Sequence, residues 1–104
     1  MAAEPNSPTW MLYGAYGYTG RLIAREAAAR GMRPTLAGRD ADKLRPLADE
    51  LQLPLQAFSL DDTASVAAKL EGFALVLNCA GPFSQTAGPM IEACLQSRTH
   101  YLDI

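Results

Sequence analysis

The sequence predicts an α/β fold: a doubly wound parallel sheet of strand order 3-2-1-4-5 in three αβα layers. Three observations predict it. Short apolar runs bounded by Gly and Pro alternate with longer, helix-patterned segments through the 104 residues. The links between them are short, which calls for parallel strands joined by right-handed crossovers. Three glycines, Gly14, Gly17 and Gly20, stand where the first strand gives way to the first helix, the junction at which such sheets take a ligand.

Each element has its own warrant. Residues 1–8 are small and polar with two prolines, and read as a disordered tail without the pattern of a signal peptide. Thr9–Tyr13 is a short apolar run, a buried strand. Thr19–Arg30 is an alanine-rich helix stopped by Gly31, with Ile23, Ala24, Ala27 and Ala28 toward the sheet and Glu26–Arg30 paired outside. Arg33–Ala37 is the second strand, with Pro34 at its start, where a missing N–H costs least. Asp40–Leu51 is a helix with Leu44, Leu47 and Leu51 on one side; Pro46 implies an irregular first turn or a late start. Leu53–Phe58 is the third strand. Asp61 or Asp62 is placed to cap a helix over Thr63–Leu70. Phe73–Asn78 is the most continuous strand pattern, followed by a turn over Ala80–Ser84. Ala87–Ser97 reads as a helix with Met90, Ile91, Cys94 and Leu95 inward, and Thr99–Ile104 as a fifth strand. The outcome is one Rossmann-type domain over residues 9–104.

Composition narrows the partners. Hydrophobic residues make up 49% of the chain and the formal net charge is −2. That balance argues against nucleic acid or an anionic membrane, which call for basic excess. No apolar run approaches the ~20 residues needed to span a bilayer, and the expected compartment is the cytoplasm. Cys79 and Cys94 lack the spacing of a zinc site or redox pair and read as reduced core thiols. No metal site is expected.

The glycine loop carries the chemistry. A diphosphate needs backbone N–H groups aimed at it with no Cβ in the way. Gly14 can make the tight turn, Gly17 admits the phosphate oxygens, and Gly20 lets the helix pack close. The helix starting near Thr19 adds free N–H groups and the positive end of its dipole. Thr19 adds a hydroxyl, Arg21 can add charge, and Tyr16 and Tyr18 complete the loop. At the end of the second strand, Ala37-Gly38-Arg39-Asp40 offers a guanidinium about 20 residues past the loop, the interval of the ribose-binding position. Arg39 suits the 2′-phosphate of NADP, and Lys43 brings a second charge. Asp40 is able to serve a NAD ribose instead, but fits better as a helix cap. NADP is the expected cofactor, with NAD as the alternative.

The turn leaving the fourth strand should also face the ligand. Ala80 and Gly81 offer low-profile backbone there, and Pro82 and Phe83 can flank the nicotinamide side. Asn78 either pins this turn or contacts the ligand, and Phe83 belongs to the core, a domain interface or the cofactor shelf. His100 reads as structural, Asp103 as an anchor for the loop after the last strand. No catalytic set emerges.

Taken in order, Gly14-Ala-Tyr-Gly-Tyr-Thr-Gly-Arg21, Leu36-Ala-Gly-Arg-Asp40, Leu77-Asn-Cys-Ala-Gly-Pro-Phe83, Glu92-Ala-Cys94 and Thr99-His-Tyr-Leu-Asp103 resemble the saccharopine dehydrogenase-like oxidoreductases, and most closely the branch of the trans-acting enoyl reductases. The resemblance runs from about Trp10 to the end. It implies an NAD(P)-binding Rossmann domain in which Gly14, Gly17 and Gly20 line the pyrophosphate, Arg39 meets the 2′-phosphate, and Ala80 to Pro82 border the cofactor. Two departures stand out. Tyr16 replaces the threonine usual in such loops. Family members also continue past the Tyr-Leu-Asp segment into a substrate domain, so the expectation is a truncated chain that binds cofactor without turnover.

Other readings share these residues. An NADP-sensing regulator uses the same loop without catalysis. A short-chain reductase has a similar Asn-Cys-Ala-Gly stretch, with its Tyr-x-x-x-Lys expected beyond Ile104. A folded domain with an unused site is the third alternative. An unfinished fifth strand would leave an open sheet edge, so self-association of copies is also expected.

Overall fold

Residues 9–104 are described by a computed structural model; the tail expected over residues 1–8 lies outside the described residues. Elements alternate in chain order: β1 (Trp10–Tyr13), α1 (Tyr18–Ala29), β2 (Thr35–Gly38), α2 (Ala41–Leu51), β3 (Leu55–Ala57), α3 (Thr63–Leu70), β4 (Leu75–Asn78), α4 (Phe83–Ser97) and β5 (His100–Asp103). The strands form one sheet in the order β3-β2-β1-β4-β5. Every neighbouring pair is parallel, with Leu12 opposite Leu36 on one side and Leu77 on the other.

Alternation along the strands divides the core in two. Leu12 and Leu36 face α1 and α2, where they meet Ala24, Leu44, Leu47 and Ala48. Met11, Tyr13 and Val76 point to the opposite face, against Val66, Ala67 and Leu70 of α3 and Met90, Ala93 and Cys94 of α4. Burying both faces is what lets short apolar strands form a parallel sheet. Tyr13 also ties across the sheet: its hydroxyl donates to the Phe58 carbonyl at 2.9 Å, and its ring lies 5.1 Å from that of Phe58.

Several expectations needed correction. Pro46 does not delay α2, because Asp40 fixes the start: its Oδ1 accepts the N–H of Asp42 at 2.9 Å and of Lys43 at 3.4 Å. The carbonyl that Pro46 deprives of a donor is that of Asp42, an exposed residue, where water can serve. Asp62 holds the N-cap position of α3, yet its side chain makes no capping bond. The last helix begins a full turn earlier than expected, at Phe83, because the Pro82 carbonyl accepts the N–H groups of Gln85 and Thr86. Pro89 is tolerated within it; the carbonyl it leaves unpaired belongs to exposed Gln85. Ile91 and Leu95, expected inward, are 39% and 71% exposed. Ala93 takes their place beside Met90 and Cys94, since a small side chain lets α4 lie close to α3.

Candidate functional site

A cleft of about 960 Å³ opens along the carboxyl ends of the strands. The chain path creates it. From β1 the chain turns to α1 on one face, and from β4 to α4 on the other, so the two loops diverge and leave a gap at the switch point.

The loop after β1 is built by close approach. Gly14 has φ +83°, and a Cβ there would fall 2.5 Å from the Ala80 nitrogen. Its N–H and that of Ala15 both donate to the Ala37 carbonyl, at 2.8 and 3.1 Å. A Cβ on Gly20 would lie inside contact distance of the Gly14 carbonyl oxygen, so the helix seats directly on the loop. Gly17 is different: it faces the cleft, a Cβ there meeting nothing nearer than 3.5 Å. It is the N-cap residue of α1, and no side chain caps that helix end. The free N–H groups of its first turn therefore remain available to an anion.

The wall after β2 carries two cations and a carboxylate. Arg39 and Lys43 line it together with Asp40 and Ala41. Tyr16 lies across it: a Cβ on Gly38 would sit 2.5 Å from its ring, and the Lys43 ammonium is 5.7 Å from the ring centroid. Tyr16 and Lys43 also border a smaller cleft of about 320 Å³ between α1 and α2. Arg21 belongs to that second cleft, beside the exposed Arg25–Glu50 ion pair at 3.0 Å.

The wall after β4 is organised by a buried side chain. Asn78 is fully buried, and its Oδ1 accepts the Ala80 N–H at 3.0 Å. Its Nδ2 donates to Thr86 Oγ1 and to the Tyr101 hydroxyl, each at 3.2 Å. Thr86 donates to the Ala80 carbonyl at 2.6 Å, and Tyr101 donates to Asp103 Oδ2 at 2.9 Å. Burial raises the Tyr101 phenol above its ordinary range; the bond from Asn78 opposes this and the bond to Asp103 adds to it. Burial likewise pushes the Tyr13 phenol up to about 12. Cys79, expected in the core, is half-buried on the cleft wall, and burial raises its thiol.

Of the residues singled out from sequence, Gly14, Tyr16, Gly17, Arg39, Lys43, Ala80, Gly81 and Pro82 meet around the one cleft. Tyr18, Thr19, Gly20 and Asn78 are not on its wall. Gly20 is packed beneath the loop, Tyr18 is 76% exposed, and the Asn78 amide is spent on internal bonds. The wall also includes Ser59 to Asp61 after β3 and Gln85, Thr86 and Pro89 of α4. Their position follows from the strand order alone; their residue types gave no signal. Tyr101 gave no signal because its partner Asn78 lies 23 residues away in sequence and on a neighbouring strand.

A parallel sheet of this order, with a glycine turn and an uncapped helix start opening into the cleft at its switch point, defines a Rossmann-type dinucleotide-binding domain. A family model described as the saccharopine dehydrogenase NADP binding domain matches residues 10–104, and the chain belongs to that family. NADP is accordingly its cofactor. Among relatives, a saccharopine dehydrogenase-like oxidoreductase of Rattus norvegicus is 28% identical, matching 100% of this chain and 29% of its own length. A trans-acting enoyl reductase of Mycobacterium ulcerans is 30% identical over 90% of this chain and 24% of its own length. The fold is shared with saccharopine dehydrogenase (L-Glu forming) of Saccharomyces cerevisiae, at TM-score 0.82 and 15% identity over 93% of this chain and 21% of that one. The family is one of oxidoreductases, and the chain spans about a quarter of the length of these curated relatives. Among the described residues, no helix is long and apolar enough to cross a membrane.

Proposed function

We propose that this chain binds the NADP of an oxidoreductase, with the diphosphate on the loop from Gly14 to Gly20 and the 2′-phosphate between Arg39 and Lys43. The observation that carries the reading is the uncapped start of α1 at Gly17, opening into a cleft that Arg39 and Lys43 also line. Free helix N–H groups suit the diphosphate, and a guanidinium suits a phosphate dianion through paired hydrogen bonds. The state of Asp40 supports NADP over NAD. Its Oδ1 accepts the N–H groups of Asp42 and Lys43, so the carboxylate is held as the cap of α2 and only its Oδ2 is left without a partner. Ala80 to Pro82 would then border the nicotinamide half, on the side of the cleft away from Arg39.

The nicotinamide supplies the hydride chemistry when bound. This chain's residues bind and orient it, and turnover needs a substrate held against the ring as well. Binding without turnover is therefore the expected behaviour of the chain alone.

Fluorescence titration with NADPH and NADH tests the reading. Arg39→Ala should weaken NADPH about 10- to 100-fold, the range for a charge-assisted hydrogen bond, and change NADH less than about twofold. A folded sample that binds no NADPH below about millimolar, far weaker than a built site gives, would sink the proposal.

A further inference from the structure

The loop after β4 presents the cleft with backbone, and something must hold that backbone in place. Asn78 does so through one bond, accepting the Ala80 N–H at 3.0 Å. An amide side chain can bind the other way round, with its NH₂ where its oxygen was. What decides its direction is the character of its other two partners. Thr86 and Tyr101 each present a hydroxyl, able to donate or accept. Both donations are already committed: Thr86 Oγ1 to the Ala80 carbonyl at 2.6 Å, and Tyr101 OH to Asp103 Oδ2 at 2.9 Å. Only lone pairs are left for Asn78, so its NH₂ must turn to them and its oxygen to Ala80.

We infer that Tyr101 is a positioning residue for the cofactor: polarised by Asp103, its hydroxyl fixes the direction of Asn78 and so the seat of the Ala80 loop. The inference rests on the NADP reading above. Ala80 is also the residue against which Gly14 packs, its nitrogen 2.5 Å from where a Gly14 Cβ would stand. A shift of Ala80 therefore changes the gap between the two loops that flank the ligand. The effect should fall on the nicotinamide half, since Arg39 and Lys43 hold the other end from β2 and α2. The Tyr101 ring packs against the core between the sheet and α3–α4, so Tyr101→Phe keeps the packing and removes the hydroxyl alone. Asp103 is exposed, so Asp103→Asn removes the obligatory acceptor with little burden on folding.

The test compares two ligands on the 104-residue chain, NADPH and 2′,5′-ADP, which is the adenosine half with its 2′-phosphate. Tyr101→Phe should weaken NADPH about five- to tenfold, the worth of one hydrogen bond, and leave 2′,5′-ADP within about twofold. Asp103→Asn should move the same ratio in the same direction, less far. An unchanged ratio in Tyr101→Phe overturns the inference, as does equal weakening of both ligands, which marks a merely structural role. If Tyr101→Phe does not fold, Asp103→Asn decides alone, and an unchanged ratio there overturns it. Wild-type protein that binds neither ligand instead sinks the NADP reading beneath it.

Discussion

The two banks of the cleft are built by opposite means. On the β1–β2 bank the site is made by omission. Gly14, Gly20 and Gly38 each stand where a Cβ would strike the Ala80 backbone, the Gly14 carbonyl or the Tyr16 ring. On the β4–β5 bank it is made by engagement, with Asn78, Thr86, Tyr101 and Asp103 joined in one chain of hydrogen bonds. At Gly14 and Gly20 the first bank cannot accept an added atom; the second cannot lose one. Close packing and buried polar satisfaction are different physical constraints, and each bank exposes one of them alone.

The sharpest way to break the comparison is to add one methyl group to the first bank. Gly14→Ala places a Cβ 2.5 Å from a backbone nitrogen, which cannot swing aside, at a φ of +83°. Overpacking and a left-handed non-glycine residue together should cost about 4 kcal/mol. A domain of this size has only ~5–10 kcal/mol in all. Chemical denaturation should show a midpoint lowered by roughly 40–80%, and a cooperative transition close to wild type would refute the account of this bank. The matching experiment removes atoms from the second. Asn78→Ala leaves the part-buried Ala80 N–H without its partner and should cost about 1–3 kcal/mol. A loss below about 0.5 kcal/mol, that of a bland surface change, would mean water or a shifted loop replaces the amide.

The smallest effect lies at the seam, where Tyr13 reaches from β1 to the Phe58 carbonyl. Tyr13→Phe should cost about 1 kcal/mol at neutral pH. Its pH dependence is more telling. The unfolded phenol ionises near pH 10, while in the fold it keeps its proton to about 12. The wild type's stabilisation from this group is thus complete below pH 10 and is lost as pH rises to 12, by on the order of 2–3 kcal/mol. Tyr13→Phe lacks that loss, so the variant should gain on wild type across this window in urea titrations. Parallel pH curves would show that the phenol is not held as described.

What the residues disclose in advance follows the same division. The glycine turn, the Asp40 cap and the alternation behind the strand order are local patterns. Each is complete within a few neighbours, so each can be read along the chain. The start of α4 is placed late from sequence because Gly81 and Pro82 read as a turn over Ala80–Ser84; only the Pro82 carbonyl, accepting from Gln85 and Thr86, reveals that the helix has already begun. Its inward face was misjudged because Leu95 is more apolar than Ala93, while contact with α3 rewards the smaller side chain. Tyr101 stayed hidden for a third reason. A phenol in a strand is ordinary until the sheet sets it beside Asn78, and that adjacency belongs to the strand order, not to any segment.

The gap itself arises from the diverging routes of the chain after β1 and β4, before any side chain is chosen. An opening with that origin survives changes in the residues around its rim. Exchange of Arg39 for an acid, or of Tyr16 for threonine, would change what the receptacle prefers to hold and not whether it exists. Novelty in such a protein can accumulate at the margin of a hollow that the backbone guarantees.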